Sequence, residues 1–202
     1  MIDRLAAAAR RNVSRETFEK LKAYEALLKE ESGRQNLVSA STLASLWDRH
    51  ILDSAQLVRF EPFAGSSWAD IGSGAGLPGI VIGCIVEGPV AMIEPRRLRA
   101  EFLHKLCESL ALNATVHLAR AQRAEGKYDA ITARAVARLT QMLEISAHLS
   151  TRKTVWALPK GRGALAELVE ARQSWQGVYH VEQSVTDADS QIVVATEVRA
   201  RR

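Results

Sequence analysis

The sequence contains little cysteine and no long apolar segment. Cys84 and Cys107 are its only two cysteines, and both lie in apolar stretches predicted to be helical. We expect buried free thiols, because two isolated cysteines form neither a disulfide framework nor a metal-binding cluster. No apolar run approaches the ~20 residues that cross a bilayer, and the N-terminal apolar stretch is too short for a secretory signal. These features predict a cytoplasmic protein with no metal and no membrane partner.

Aromatic residues are also scarce, at 5% of the 202 residues. This scarcity argues against an extended platform for stacking single-stranded bases. The hydrophobic fraction of 47% and the charged fraction of 25% are typical of a globular domain. The formal net charge of +4 is a mild basic bias that favours an anionic partner such as nucleic acid.

Helical and strand-like patterns divide the chain near residue 62. Two helical patterns precede this point, at 14–31 with Ser14 as the N-cap and at 42–58. Beyond it, short apolar strands alternate with helices, and two strand-like runs at 179–186 and 190–199 end the chain. The predicted strands are 67–71, 90–94, 115–119, 129–133 and 154–158, and the predicted helices are 77–86, 96–112, 139–149 and 163–175.

This alternation predicts an α/β, Rossmann-like fold with a mostly parallel sheet and a C-terminal antiparallel hairpin. We expect a single domain over 1–202, with an N-terminal helical extension over 1–62 and a ligand-binding core over 63–202. Ligands of such sheets bind beyond the carboxyl ends of the strands. The polar residues that follow the five predicted parallel strands are Asp70, Glu94, Arg120, Gln122, Arg123, Arg134, Lys160 and their neighbours.

The segment "WADIGSGAGLPG" at 68–79 allows two interpretations. Gly74, Gly76 and Gly79 match the dinucleotide fingerprint, and Glu94 lies where a ribose-binding acid belongs, so an NAD(P)-dependent oxidoreductase is one alternative. However, Asp70 at the strand end would repel a pyrophosphate, which prefers helix N-terminal amides and positive charge. The chain also lacks room for the usual second dehydrogenase domain.

S-adenosylmethionine satisfies these conditions better. It has no phosphate, and it carries a sulfonium, an ammonium group and a ribose. The glycine loop, with Asp70, Gly72, Gly74 and Gly76, would approach the methionine part. The Glu94 carboxylate would accept hydrogen bonds from both ribose hydroxyls.

Five motifs together give a more specific resemblance. They are "NLVS" (36–39), "DRHILDS" (48–54), "DIGSGAGLPGI" (70–80), "ITARAVARL" (131–139) and "LPKG" (158–161). In this order they resemble the bacterial 16S ribosomal RNA guanine-N7 methyltransferases, also called glucose-inhibited division protein B. The resemblance extends over about residues 18 to 198.

The resemblance implies a seven-stranded fold, S-adenosylmethionine as methyl donor and S-adenosylhomocysteine as product. It implies methylation at N7 of a guanine near the decoding site, with 16S RNA or the small ribosomal subunit as partner. By motif, Gly72, Leu77 and Arg134 fall at the cofactor pocket, and Ala121 and Gln122 fall beside the adenine. Gln122 departs from many family members, which carry an acid there.

Guanine N7 carries a lone pair and no proton, so we expect no catalytic base. His50 and Asp53 are spaced as an acid–base pair on one predicted helix, but we favour a hydrogen-bonded pair that braces that helix. Arg134 and Lys160 are candidates to bind guanine O6. The candidate RNA-binding residues are Arg34, Arg49, Arg123, Arg138, Lys160 and Arg162. We expect a monomer, and a non-catalytic RNA-binding module is the third alternative.

Overall fold

Strands and helices alternate through most of the chain. The computed structural model describes residues 1–39, 43 and 45–201. The helices are α1 (Ile2–Ala9), α2 (Arg15–Ser32), α3 (Leu52–Ala55), α4 (Gly79–Ile85), α5 (Arg97–Ser109), α6 (Leu139–Ser146) and α7 (Ala164–Ser174). The strands are β1 (Trp68–Ile71), β2 (Val90–Ile93), β3 (Ala114–His117), β4 (Ala130–Thr132), β5 (Val155–Lys160), β6 (Trp175–Gln183) and β7 (Gln191–Ala200).

The seven strands form one sheet in the order β3-β2-β1-β4-β5-β7-β6. Strands β1 to β5 are parallel, and β7 pairs antiparallel with both β5 and β6. This arrangement confirms the predicted fold and its C-terminal antiparallel hairpin. The strand order reverses between β1 and β4, which leaves a crevice for ligands at the carboxyl ends of these strands.

Burial explains why the central strands read as continuous apolar runs. Every residue of β1 and β2 is buried, as expected for parallel strands covered by helices on both faces. The edge strand β3 instead alternates between half-buried and exposed residues. One hydrophobic cluster contains Trp68 and the buried residues of α1 and α2, and a second cluster contains Trp156.

The N-terminal helices therefore share a core cluster with the sheet. Ser14 caps α2 as predicted, because its Oγ accepts from the Thr17 amide at 3.0 Å. Helix α1 was not expected. It buries Leu5, Ala8 and Ala9 on one side, but eight residues are too few for a clear periodic signal. The division at residue 62 remains a prediction.

The predicted helix at 42–58 is not regular where the structure describes it. Residues 40–42 and 44 lie outside the described residues, so the predicted start at 42 does too. A π-helical turn at Trp47–Ile51 leads into the short helix α3, and a 3₁₀ turn at Gln56–Phe60 follows. The π turn contains His50, which lines a cavity at the carboxyl edge of the sheet.

The junction between α7 and β6 was predicted wrongly. We expected the helix to reach residue 175 and the strand to begin near 179, but α7 ends at Ser174 and β6 begins at Trp175. Trp175 is buried in the second cluster with an extended backbone. The helix ends within one residue of its predicted end, whereas packing of this indole in an extended backbone starts the strand four residues earlier than the sequence pattern indicates. Among the described residues, no helix is long and apolar enough to cross a membrane.

Candidate active site

The glycine loop connects β1 to α4 at the crevice. Gly74 adopts a left-handed backbone with φ of 56°, which a side chain would strain. Its amide donates to Glu94 Oε2 at 2.8 Å. A Cβ at this position would meet only Arg99 Nη1 and Gly72 O, both at 3.7 Å. The loop thus leaves open space above Gly74 while its amide is held from β2.

Asp70 supports this loop from beneath. Its side chain is buried, and Oδ2 accepts from the Gly79 amide at the start of α4 at 2.9 Å. Burial raises the pKa of Asp70 to about 6, although the Gly79 amide and the positive charge of Arg134 oppose the rise. Asp70 therefore braces the turn from below and does not line the cavity above it.

Glu94 ends β2 and faces the same cavity. It is only 3% exposed, and each carboxylate oxygen holds a backbone amide. Oε2 accepts from Gly74 and Oε1 accepts from Arg96 at 2.9 Å. Each carboxylate oxygen has two acceptor positions, so each retains capacity for one further donor. Glu94 is thus a pre-oriented acceptor, and its binding of ribose hydroxyls stays a prediction.

A cavity of about 620 Å³ lies at the carboxyl ends of β1, β2 and β4. It is the candidate site for the cofactor and is called the cofactor cavity below. Five of the predicted cofactor residues line it: Gly72, Gly74, Leu77, Glu94 and Arg134. Four others do not. Asp70 and Gly76 lie below, where a Cβ on Gly76 would meet Ile80 at 2.5 Å, while Ala121 and Gln122 lie in the 3₁₀ turn after β3.

Several cavity residues had no role in cofactor binding assigned from sequence. They include His50, Arg99 and Val136, and the segment Leu37–Ser39. All except Arg99 belong to the motifs "NLVS", "DRHILDS" and "ITARAVARL". The motifs therefore carried the signal, but only the fold shows that they meet at one cavity.

Arg134 connects the loop after β4 to the π turn. Its Nη1 donates to His50 Nδ1 at 2.8 Å and lies 3.8 Å from Asp53 Oδ2. Because a guanidinium only donates, Nδ1 is the acceptor and Nε2 carries the proton. His50 Nε2 is buried without a partner among the described residues. Burial and the nearby charges of Arg134 and Arg49 lower the pKa of His50 to about 4, so the ring is neutral at pH 7.

The expected hydrogen bond between His50 and Asp53 is not formed. Asp53 Oδ1 instead accepts from Gln56 Nε2 at 2.7 Å and from Thr186 Oγ1 at 2.9 Å. The two side chains are linked only through Arg134 Nη1. A neutral His50 with an occupied Nδ1 does not serve as a general base.

A second cavity of about 490 Å³ adjoins the first. Arg134, Ala135 and Val136 line both cavities and form the wall between them. Lys160 lines the second cavity, but its Nζ binds Glu167 Oε2 at 2.9 Å and Ala137 O at 2.8 Å. The charge of this ammonium group is therefore balanced by Glu167, and two of its three N–H donors have partners within the protein.

The candidate RNA-binding arginines fall into two groups. Three pair with carboxylates: Arg34 with Glu30 and Glu31, Arg138 with Glu170, and Arg162 with Asp189. Arg49 and Arg123 have no carboxylate partner in the described part of the chain. Over the same residues, no group of three His, Cys, Asp or Glu side chains could hold a metal, and both cysteines are buried and free.

Comparison with solved structures identifies the class of fold. A SAM-dependent methyltransferase from Aquifex aeolicus superposes with a TM-score of 0.62 at 14% identity, covering 76% of this chain and 93% of that chain. TrmN from Thermus thermophilus superposes with a TM-score of 0.58 at 17% identity, covering 74% of this chain and 49% of that chain. The fold is that of the class I S-adenosylmethionine-dependent methyltransferases.

Sequence comparison identifies the family. The model of the rRNA small subunit methyltransferase G family matches residues 17–194. Ribosomal RNA small subunit methyltransferase G of Zymomonas mobilis is 42% identical, over 94% of this chain and 90% of the relative. The protein of the same name from Novosphingobium aromaticivorans is 47% identical, over 83% of this chain and 75% of the relative. The chain belongs to this family, and it is a methyltransferase rather than an NAD(P)-dependent oxidoreductase.

Proposed function

We propose that this S-adenosylmethionine-dependent enzyme methylates N7 of a guanine near the decoding site of 16S ribosomal RNA. Family membership supports the methyl donor and the small-subunit RNA substrate. The observation that carries the assignment of the site is the buried Glu94 carboxylate, which closes β2 beside the glycine loop at the point where the strand order reverses.

The cavity suits S-adenosylmethionine in size and in the chemistry of its lining. Glu94 would accept from the two ribose hydroxyls with its remaining lone pairs. Gly72, Gly74 and Leu77 would contact the methionine part. Ala121 and Gln122 follow β3, the next strand beyond β2, and remain candidates for the adenine end. Asp70 and Gly76 would act indirectly, by fixing the shape of the loop.

Methyl transfer to N7 needs alignment rather than proton removal. When bound, S-adenosylmethionine supplies an electrophilic methyl carbon, which bonds to N7 through the lone pair of that nitrogen while the sulfur retains the electron pair of the broken C–S bond. Residues of the chain would hold the two reactants in line and exclude water. The lowered pKa of His50 and its bond from Arg134 fit a positioning role for that residue.

RNA contacts would come mainly from cations without a carboxylate partner. Arg49 and Arg123 are the two predicted residues that remain free of ion pairs in the described part of the chain. We infer weaker contributions from Arg34, Arg138, Lys160 and Arg162, since phosphate would compete there with a bound carboxylate. The reaction would take place in the cytoplasm, where small ribosomal subunits are found, with a monomer as the acting unit.

Ligand binding by Glu94→Gln tests the cofactor site. Glutamine keeps the size of the side chain but offers one oxygen where glutamate offers two. We expect the variant to bind S-adenosylhomocysteine at least about tenfold more weakly in calorimetry, the effect of losing charge-assisted hydrogen bonds. Glu87→Gln, at the exposed amino-terminal side of β2, is the matched control and should bind like the wild type. Equal affinity in all three proteins would refute the role of Glu94.

The methylated atom is tested on RNA. N7-methylguanosine makes the RNA chain cleavable after mild reduction, so its position in 16S RNA can be mapped in cells with and without this gene. We expect one guanine near the decoding site to lose the modification. Stabilisation of the protein by NADP but not by S-adenosylhomocysteine would contradict the cofactor assignment.

A further inference from the structure

The second cavity adjoins the cofactor cavity and is large enough to hold a base. It is bounded by the loops that follow β4 and β5 and is separated from the cofactor cavity only by Arg134, Ala135 and Val136. A base in the second cavity would therefore have the methyl donor on the other side of this short wall. Ligand pockets of a few hundred Å³ are typical of small-molecule and base-binding sites.

The cations of this cavity already pair with groups of the protein, which weakens them as donors to guanine O6. Lys160 is engaged by Glu167 and by the Ala137 carbonyl, and Arg138 pairs with Glu170 at 2.6 Å. Arg134 is directed to His50. A base that binds here by donating hydrogen bonds instead needs an acceptor that the protein leaves free.

Asp53 supplies the strongest free acceptor. Two donors already hold its Oδ1, Gln56 Nε2 and Thr186 Oγ1, so the orientation of the carboxylate is set. Its Oδ2 accepts no hydrogen bond in the described part of the chain and lies 3.8 Å from Arg134 Nη1, which is beyond hydrogen-bonding distance. The side chain is 17% exposed and lines the cavity, and Oδ2 is the carboxylate oxygen that Gln56 and Thr186 leave free.

A second acceptor faces the same space. Gln191 lines the cavity, and its Oε1 is buried without a partner among the described residues. Gln191 lies opposite Lys160 in the register of β5 and β7. A buried amide oxygen without a donor is costly in free energy, so Gln191 adds an acceptor at this wall of the cavity that the described residues leave unsatisfied.

Guanine carries such donors on one edge and the methylated atom on another. N1–H and the 2-amino group lie on the Watson–Crick edge, whereas N7 and O6 lie on the major-groove edge. Enzymes that act on an extruded base commonly recognise it by hydrogen bonds to its Watson–Crick edge. A carboxylate there would hold guanine with N7 free, and it would reject adenine, whose N1 is an acceptor.

We propose that the second cavity receives the target guanine and that Asp53 Oδ2 selects it by accepting from N1–H and the 2-amino group. This inference rests on the proposed function and specifies how its substrate base is recognised. Asp53 is then a residue that determines base specificity. The neutral His50 ring and the positively charged Arg134, which donates to it, both line the cofactor cavity beside Asp53.

The test compares guanosine with inosine, which lacks only the 2-amino group. Each would be placed at the methylated position of ligated 16S RNA assembled into small subunits, and kcat/KM for methyl transfer would be measured. Loss of one hydrogen bond to a charged acceptor should make the wild type prefer guanosine by about tenfold or more. A wild type that methylates both substrates equally would overturn the proposal without any variant.

The variant Asp53→Asn adds the protein side of the comparison. Its amide oxygen can still accept from Gln56 and Thr186, which turns the amino group towards the cavity, where it cannot accept. We expect kcat/KM on guanosine to fall by about a hundredfold through loss of both bonds, and the preference over inosine to shrink to within about threefold. Binding of S-adenosylhomocysteine should stay within about twofold of the wild type, since Asp53 lines only the second cavity.

Asp48→Asn is the matched control, because Asp48 is an exposed aspartate of the π turn that directly precedes α3, the helix of Asp53, and it pairs with Arg4. It should keep the preference of the wild type. An Asp53→Asn enzyme that still discriminates as strongly as the wild type would overturn the role of Asp53 while leaving the proposed function intact. A wild type that binds no S-adenosylhomocysteine and transfers no methyl group would instead refute the proposed function.

Discussion

At the scale of single residues, Asp70 shows that the position of a residue in the fold can be predicted while the direction of its side chain cannot. Its place at the end of a central strand was predictable from the sequence, and so was its neighbourhood with the glycine loop. We expected it to face the ligand, but its side chain points to the amide of Gly79 beneath the loop. The sequence could not reveal this direction, because it depends on how α4 docks against β1.

Burial of Asp70 predicts a dependence of stability on pH. Its pKa is raised to about 6 in the folded protein, above the ordinary value of ~3.9 in the unfolded chain. Between these values the folded state holds a proton that the unfolded state has lost, so the contribution of Asp70 to stability falls as the pH rises. Relative to Asp70→Asn, the free energy of unfolding of the wild type should fall by up to about 3 kcal/mol between about pH 4 and 6.

Chemical denaturation at a series of pH values measures this difference. The pKa of His50 is lowered to about 4, so below its ordinary pKa this residue makes the free energy of unfolding rise with pH. His50 is present in both proteins, and its contribution therefore cancels in the difference between them. For Asp48→Asn, at an exposed site, the free energy of unfolding should change with pH in the same way as that of the wild type. A difference between wild type and Asp70→Asn that stays constant with pH would show that Asp70 is not perturbed.

At the scale of elements, helix α2 is tied to the glycine loop. Tyr24 is fully buried, and its hydroxyl donates to the Ala75 carbonyl at 3.0 Å. Helix α2 thereby supports the loop that forms the floor of the cofactor cavity. The helix was predictable from its apolar spacing and its Ser14 cap, whereas the contact joins residues 51 positions apart and depends on packing.

Removal of this hydroxyl should weaken both stability and binding. Tyr24→Phe leaves the Ala75 carbonyl buried without a donor, so we expect the free energy of unfolding to fall by about 1–2 kcal/mol. The affinity for S-adenosylhomocysteine should fall several-fold, since the loop loses a support. Tyr128→Phe is the control, because the Tyr128 hydroxyl reaches the Glu125 carbonyl in an exposed loop and should cost under about 0.5 kcal/mol.

Denaturation curves and calorimetry on the same preparations provide both measurements. If Tyr24→Phe lowers stability but leaves binding unchanged, the helix supports the core and not the loop. The predicted helix before residue 62 would then be an extension without a role in the cofactor site.

At the scale of the whole molecule, the net charge of +4 gives little information about where RNA binds. Arg34, Arg138 and Arg162 carry charges that nearby carboxylates neutralise, whereas Arg49 and Arg123 stand free within the described residues. Exposed cations without a carboxylate partner are the most effective at displacing the counterions of RNA when they bind its phosphates.

Substitution of the two free arginines should therefore change the salt dependence of binding. With Arg49→Gln and Arg123→Gln combined, we expect weaker binding to small ribosomal subunits and a slope of log K against log salt shallower by about 1–2. Filter binding between about 50 and 200 mM salt covers the useful range. Arg34→Gln with Arg162→Gln removes the same formal charge from paired sites and should change the slope by less than half as much. Equal effects of the two double variants would contradict the distinction.

The sequence by itself determined the alternation of strands and helices, the glycine loop after β1 and the acid that ends β2. These features depend on residue order and periodicity over short distances, which a linear pattern records directly. The motifs shared with the family added the identity of the methyl donor and the RNA, since each is a short segment that can be matched residue by residue.

Only the tertiary structure decided which of these residues meet. Arg134 reaches His50 across 84 positions of sequence, Lys160 is occupied by Glu167, and Asp53 opens into a cavity beside the cofactor site. Such outcomes depend on how α3 and the π turn before it dock on the carboxyl edge of the sheet. Docking is a property of the whole packed core, so no local pattern encodes it.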